Sequence, residues 1–174
     1  MSQAALVLGG TGMLAFCAAE LSSRGWHVVV PSRRAPLMPD SGPGRAARAT
    51  VRTGNRPTWV RAEWAEPAAL AEDAQFALGR PADLLVAWVD AAYRETVLRA
   101  VEPLLAPHAP VVEVHAAAPV PDPLLDGHPT QQVLLGHFQH DANRRISAGV
   151  LEAVERALAG RPPSLHQVDE YSYR

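Results

Sequence analysis

The residues best placed to do chemistry open the chain: Leu6-Val7-Leu8-Gly9-Gly10-Thr11-Gly12-Met13-Leu14-Ala15, an apolar run that ends in a glycine-rich turn. A glycine turn between a buried strand and a helix can hold a pyrophosphate. Gly10 permits a tight turn, Gly12 lets the backbone approach the phosphates, and Ala15 keeps the helix close to the strand. Gly9, Thr11, Met13 and Leu14 complete the candidate cradle. Backbone N–H groups at the helix start, helped by the helix dipole, would face the negative charge.

The end of the second strand bears on which nucleotide is held. About 20 residues past such a fingerprint, a NAD-type site carries an acid that bonds the ribose hydroxyls. Here the strand runs into Pro31-Ser32-Arg33-Arg34, with no acid and two guanidinium groups. Arg pairs with phosphate through two parallel charge-assisted bonds, so the pattern points to a 2′-phosphate and to NADP(H). The plainer alternative is that Arg33 and Arg34 are solvated loop charges.

Further candidates fall where later strands end. Asp90 follows the fourth strand with Trp88 beside it, and His115 closes the fifth. His137 and His140 flank the turn after the sixth. Alternation puts Glu113 and His115 on one face of their strand, so the carboxylate could orient or charge the imidazole. A histidine held this way could donate a proton while a cofactor delivers hydride. The alternative is a buried structural pair. His137-x-x-His140 is not expected to bind metal, because residues three apart on a strand face opposite sides.

These positions need a parallel sheet. Strands are expected at Leu6–Leu8, Trp26–Val30, Thr58–Ala62, Asp83–Val89, Val111–His115 and Gln132–Phe138, with a closing one between Leu165 and Tyr173. Between them lie helices with stripes such as Leu14, Cys17, Ala18, Leu21 and Ile146, Val150, Val154, Leu158. Pro67 starts a helix that runs to about Leu78, another spans about Ala92 to Ala106, and Asp141 or Asn143 caps the last. Residues 36–57 read as a flexible Pro-, Gly- and Arg-rich flap, and 117–129 as a Pro-rich loop. The alternating order gives an α/β class, a doubly wound parallel sheet of six to seven strands with right-handed crossovers and helices on both faces.

Composition bounds the rest. The 174 residues, 48% hydrophobic and 20% charged, suit one domain over 1–174. A net charge of −2 gives no reason to expect nucleic acid or an anionic membrane as partner. Cys17 is the only cysteine and falls on an apolar helix face, as expected of a core thiol in a reducing compartment. No Lys or Arg precedes the first apolar run, and Phe16 stands where a signal cleavage site needs a small residue, so the protein is expected in the cytoplasm.

With Gly9-Gly10-Thr11-Gly12-Met13-Leu14-Ala15, Ser32-Arg33-Arg34 and the Asp83–Val89 strand, the chain resembles an atypical short-chain dehydrogenase/reductase. The likeness is to a compact bacterial subgroup with a Gly-Gly-Thr-Gly-Met-Leu-Ala start, and it extends from Ala4 to about Gly160. It implies a Rossmann fold with Gly9, Gly10, Thr11, Gly12 and Met13 on the pyrophosphate and Arg33 on the 2′-phosphate. Glu63 and Trp64 match the adenine-contacting position, although the usual Asp is missing. Typical members use a Ser past the fifth strand and a Tyr-x-x-x-Lys helix. All 16 basic residues here are Arg, so no Lys exists to lower a Tyr pKa. Tyr93, Tyr171 and Tyr173 lie in the wrong region, and the chain is shorter than a typical member.

The expected function is an NADPH-dependent reductase without a Tyr–Lys acid, acting on a small molecule such as an imine, a flavin or an activated double bond. Its catalytic candidates are His115 and Asp90. The competing expectation is a non-catalytic NADP(H)-binding regulator or scaffold, and a homodimer is possible in either case.

Overall fold

Short apolar runs that would be insoluble as exposed segments pair with one another. Ala4–Leu8 (β1), Leu84–Ala87 (β4) and Val111–His115 (β5) are buried at every residue, as strands covered on both faces must be. With His27–Ser32 (β2), Thr58–Arg61 (β3), Thr130–Leu135 (β6) and Leu165–Val168 (β7), they form one seven-stranded sheet of order β3-β2-β1-β4-β5-β6-β7. Every pairing is parallel. The computed structural model describes residues 3–9, 12, 14–34, 56–136 and 143–168.

The period of two assigns each face. Ala4, Leu6 and Leu8 pack with helices Pro67–Leu78 (α2) and Arg94–Val101 (α3), whereas Ala5 and Val7 pack with Ala15–Ser23 (α1) and Asn143–Leu158 (α4). The α1 stripe Leu14, Cys17, Ala18 and Leu21 is wholly buried. On α4, Ile146, Val150 and Val154 are buried together with Ala153, while Leu158 is left exposed. Gly149 brings α4 against β7: a Cβ there would lie 2.5 Å from Val168 Cγ2, so no side chain fits without displacement. Burial also holds the Cys17 thiol in its neutral form, its pKa pushed up to about 12, which suits an inert core residue.

Several boundaries differ from the sequence expectations. The third helix stops at Val101 and finishes as a 3-10 turn, Glu102–Leu104, because Pro103 has no N–H to continue the ladder. The sixth strand starts at Thr130 and ends at Leu135. Asn143 is the first residue of α4 instead of its cap. The proposed flap at 36–55, Phe138, Asp141, Tyr171 and Tyr173 lie outside the described residues.

Two features shape the site. As expected of the Pro-rich stretch 117–129, residues 116–129 between β5 and β6 contain no helix. They lie on the α2/α3 face, with Leu125 buried in that core and the carbonyls of Pro121 and Asp122 bonded to Gln132 and Arg94. The second feature departs from expectation, and it is one of hand. The step from β1 to β2 runs toward one edge with α1 on its face, and β6 to β7 runs toward the other edge with α4 on that same face. The last crossover therefore has the opposite hand to the first, against the expectation of uniform right-handedness. The apolar side of α4 is buried against α1, β5 and β6, which commits it to that face.

Candidate functional site

In an open parallel sheet a ligand lies beyond the carboxyl ends of the strands, where the order reverses. Here that point is between β1 and β4, and it is built around Gly9. Its φ is +90°, and a Cβ would sit 2.8 Å from the backbone oxygen of Trp88. The Trp88 N–H meanwhile donates to the Leu8 carbonyl at 3.0 Å. The chain thus leaves β1 pressed against the end of β4, in a conformation open mainly to glycine. Gly9→Ala should cost about 1–3 kcal/mol from backbone strain alone, with added displacement of Trp88. Urea denaturation would measure it, and an unchanged midpoint would show that the turn is not tied to β4.

Past Gly9, Gly12 is exposed and a Cβ on it would meet nothing within 4 Å. This is open ground beside the helix start. Its carbonyl accepts the Ala15 N–H at 3.1 Å. Leu14 is buried in the α1/α4 core, so its side chain packs and only its backbone could face a ligand. The Cys17 N–H is already bonded to Ser147 Oγ from α4, at 3.2 Å. Any anion at this helix start is therefore met by groups that precede Cys17. Phe16 is exposed, with the Arg144 guanidinium 5.3 Å from its ring centroid, which adds a cation at the same end. Gly10, Thr11 and Met13 lie outside the described residues.

At the end of β2, Ser32 organises the two arginines. Its hydroxyl donates to the Arg34 carbonyl at 2.6 Å and accepts the Trp59 indole N–H at 3.0 Å. Both roles of the hydroxyl are thereby used within the protein, and Arg33 and Arg34 project as exposed side chains. Trp59 was not anticipated. The signal was available in principle, since Val30 pairs with Trp59 across β2 and β3, which brings Trp59 to the face of Ser32.

Glu63 is exposed at the end of β3 and lines a cavity of about 430 Å³ with Arg61, Ala62, Glu66, Leu70 and Asp73. Trp64 is half-buried and packs on the α2/α3 core. At the end of β4, Trp88 is half-buried against the α1/α4 core. Asp90 is exposed, and its carboxylate accepts the Ala92 N–H at 2.9 Å while its carbonyl accepts that of Tyr93. The Asp90 side chain thus serves the turn that leads into α3.

The end of β5 holds the charge network. Glu113 and His115 share a buried face as alternation requires, with His115 Nε2 3.7 Å from Glu113 Oε1. The carboxylate's real partner is Arg94, the first residue of α3. Its Nε bonds Glu113 Oε1, its Nη2 bonds Oε2 at 3.1 Å, and Nη2 also donates to the Asp122 carbonyl at 2.9 Å. Burial lowers the His115 pKa below 6.5, outweighing the pull of Glu113, and Arg94 lowers it further. Glu113 therefore does not charge the imidazole. Arg94 was missed because nothing local to its own helix marks it as buried.

Ser164 and His166 also meet, with 2.6 Å between Oγ and Nε2, but not as nucleophile and base. The Gln131 amide nitrogen donates to the Pro162 carbonyl, which leaves Gln131 Oε1 to accept the Ser164 proton at 2.6 Å. The imidazole can then only donate to Ser164. Among the described residues no three His, Cys, Asp or Glu side chains gather as a metal site, and no helix is long and apolar enough to cross a membrane. His137 and His140 lie outside the described residues.

The sheet order and the position of the β1–α1 turn define an α/β fold of the Rossmann type. Solved structures with this fold that it is similar to include short-chain dehydrogenases/reductases. A glucose/ribitol-type member from Brucella melitensis superposes with a TM-score of 0.66 at 13% identity, covering 99% of this chain and 97% of that one. A Serratia marcescens member gives 0.63 at 13%, covering 96% and 95%. An NADH-dependent reductase responsible for alginate metabolism gives 0.63 at 15%, covering 99% and 98%. At such identities the likeness is one of fold. No protein-family profile and no curated protein matches the chain.

Proposed function

We propose that this chain is a single-domain NADPH-dependent reductase of a small molecule. The observation that carries the reading is a juxtaposition on neighbouring strands. A glycine turn is pressed onto the Trp88 carbonyl at the point of strand reversal, and a Ser32-tethered turn offers two exposed arginines and no acid. The residues fit the cofactor, since the ground around Gly12 is open. Gly9 to Leu14 would hold the pyrophosphate, Arg33 and Arg34 the 2′-phosphate, and Glu63 and Trp64 the adenine end, with Trp88 toward the nicotinamide. A bound nicotinamide supplies hydride.

What the chain itself supplies is positioning and one proton. His115 stands at the carboxyl end of β5 and Asp90 at that of β4, with no Lys anywhere to assist a Tyr. Imines, flavins and activated double bonds suit such a site, because hydride delivery and orientation carry most of their barrier reduction. The reading also takes the protein as cytoplasmic, and it is compatible with a homodimer.

NADPH consumption against a panel of flavins, imines and enones is the test. Turnover is expected, with His115→Ala lowering it more than His140→Ala. The reverse order would remove His115 from its role, and tight NADPH binding with no turnover would favour a regulator. The pH dependence has a definite sign. His115 has a folded pKa below its unfolded value of 6.5, so the unfolded chain binds more protons as pH falls past that value. Stability is full above 6.5 and is lost as pH falls toward the folded pKa. The denaturation midpoint should therefore drop between about pH 7.5 and pH 5, and drop less in His115→Gln. An equal drop in both would place the effect elsewhere.

A further inference from the structure

The amide of Gln132 on β6 is held in one orientation by its surroundings. It stands 2.8 Å from the Pro121 carbonyl, which can only accept a hydrogen bond, so the group facing it is the NH2. That same nitrogen lies 3.4 Å from His115 Nε2. An amide nitrogen has protons to give and no lone pair to receive with, so His115 Nε2 must be the acceptor. The other group near Nε2 is Glu113 Oε1, at 3.7 Å, which is beyond hydrogen-bond reach and already engaged by Arg94. The proton of the neutral ring therefore belongs on Nδ1. Among the described residues the hydrogen bond of the ring is the one at Nε2, and Nδ1 is left to carry the proton.

We propose that Gln132 is a positioning residue that locks His115 in its Nδ1–H tautomer, so that Nδ1–H is the hydrogen-bond donor presented to a bound substrate. This rests on the reductase reading for its catalytic consequence, but the tautomer itself does not. The β5–β6 connection has a part in the device. In place of a helix it brings the Pro121 carbonyl that orients the amide, and Arg94 ties the same segment down at Asp122. A side chain chosen only to fill this space would not need an amide.

Long-range nitrogen–proton NMR of the His115 ring, above its titration range, reads the tautomer directly. The wild type is expected to show Nδ1–H. Gln132→Glu, whose carboxylate can only accept, should switch the ring to Nε2–H and raise its pKa. Gln132→Leu should leave a mixture. Gln132→Glu should lose about tenfold or more in turnover and Gln132→Leu less, while both bind NADPH as the wild type does. An Nε2–H ring in the wild type would overturn the proposal even if the variants fail to fold, and so would a tautomer unchanged in folded variants. If the wild type shows Nδ1–H but reduces no substrate, the reductase reading fails and the Gln132 assignment stands.

Discussion

Replacing Arg94 with methionine is expected to cost about 3–5 kcal/mol of unfolding free energy, measured by urea denaturation. The side chain of Glu113 is 4% exposed and that of Arg94 13%, and both carboxylate oxygens are bonded to the guanidinium. Taking away the cation leaves a charge in the core with no compensating group, and it also frees the Asp122 carbonyl. Glu113→Gln should cost less, since a neutral amide is cheaper to bury. The double replacement Arg94→Met, Glu113→Leu should recover most of the loss, because an apolar pair avoids both desolvation terms. The contrast is with Arg24–Glu20 and Arg99–Glu95, both on exposed helix faces, where removal should cost under about 1 kcal/mol. A change of that small size for Arg94→Met would mean that water reaches Glu113.

Replacing Arg33 and Arg34 together with alanine should weaken NADPH binding roughly 10- to 100-fold, while NADH binding stays within about threefold. The loss of a single hydrogen bond to a charged group, worth about 1.5–3 kcal/mol, already gives this factor, and only NADPH carries the 2′-phosphate that would receive it. Both side chains are exposed, so the substitution should not disturb the sheet. Fluorescence titration with each nucleotide separates the cases. Equal losses for both would sink the assignment, because the arginines would then act on a part the two nucleotides share.

The parallel sheet was legible because its signals are local. A glycine-ended apolar run, alternating segments and Pro67 at the start of a helix each name an element without outside help, and β5 falls where it was expected. What was not legible depends on distance along the chain. Arg94 reads as a surface residue at the start of a helix, and only the fold brings it 19 positions onward to Glu113. The Glu113–His115 alignment was visible from alternation, but its electrostatics were not, since they turn on that third residue. The hand of the last crossover follows from which face has room for α4, which no run of residues states. Ser32 was identified by position, and its use as a tether needed Trp59 from the neighbouring strand.

The central claim is that the site at the strand reversal holds NADP(H). Titrating the wild-type protein with NADPH and NADH, by calorimetry or by nicotinamide fluorescence, tests it most directly. Saturable one-to-one binding of NADPH is expected, at least about tenfold tighter than NADH. Tighter binding of NADH, or no binding of either, would contradict it.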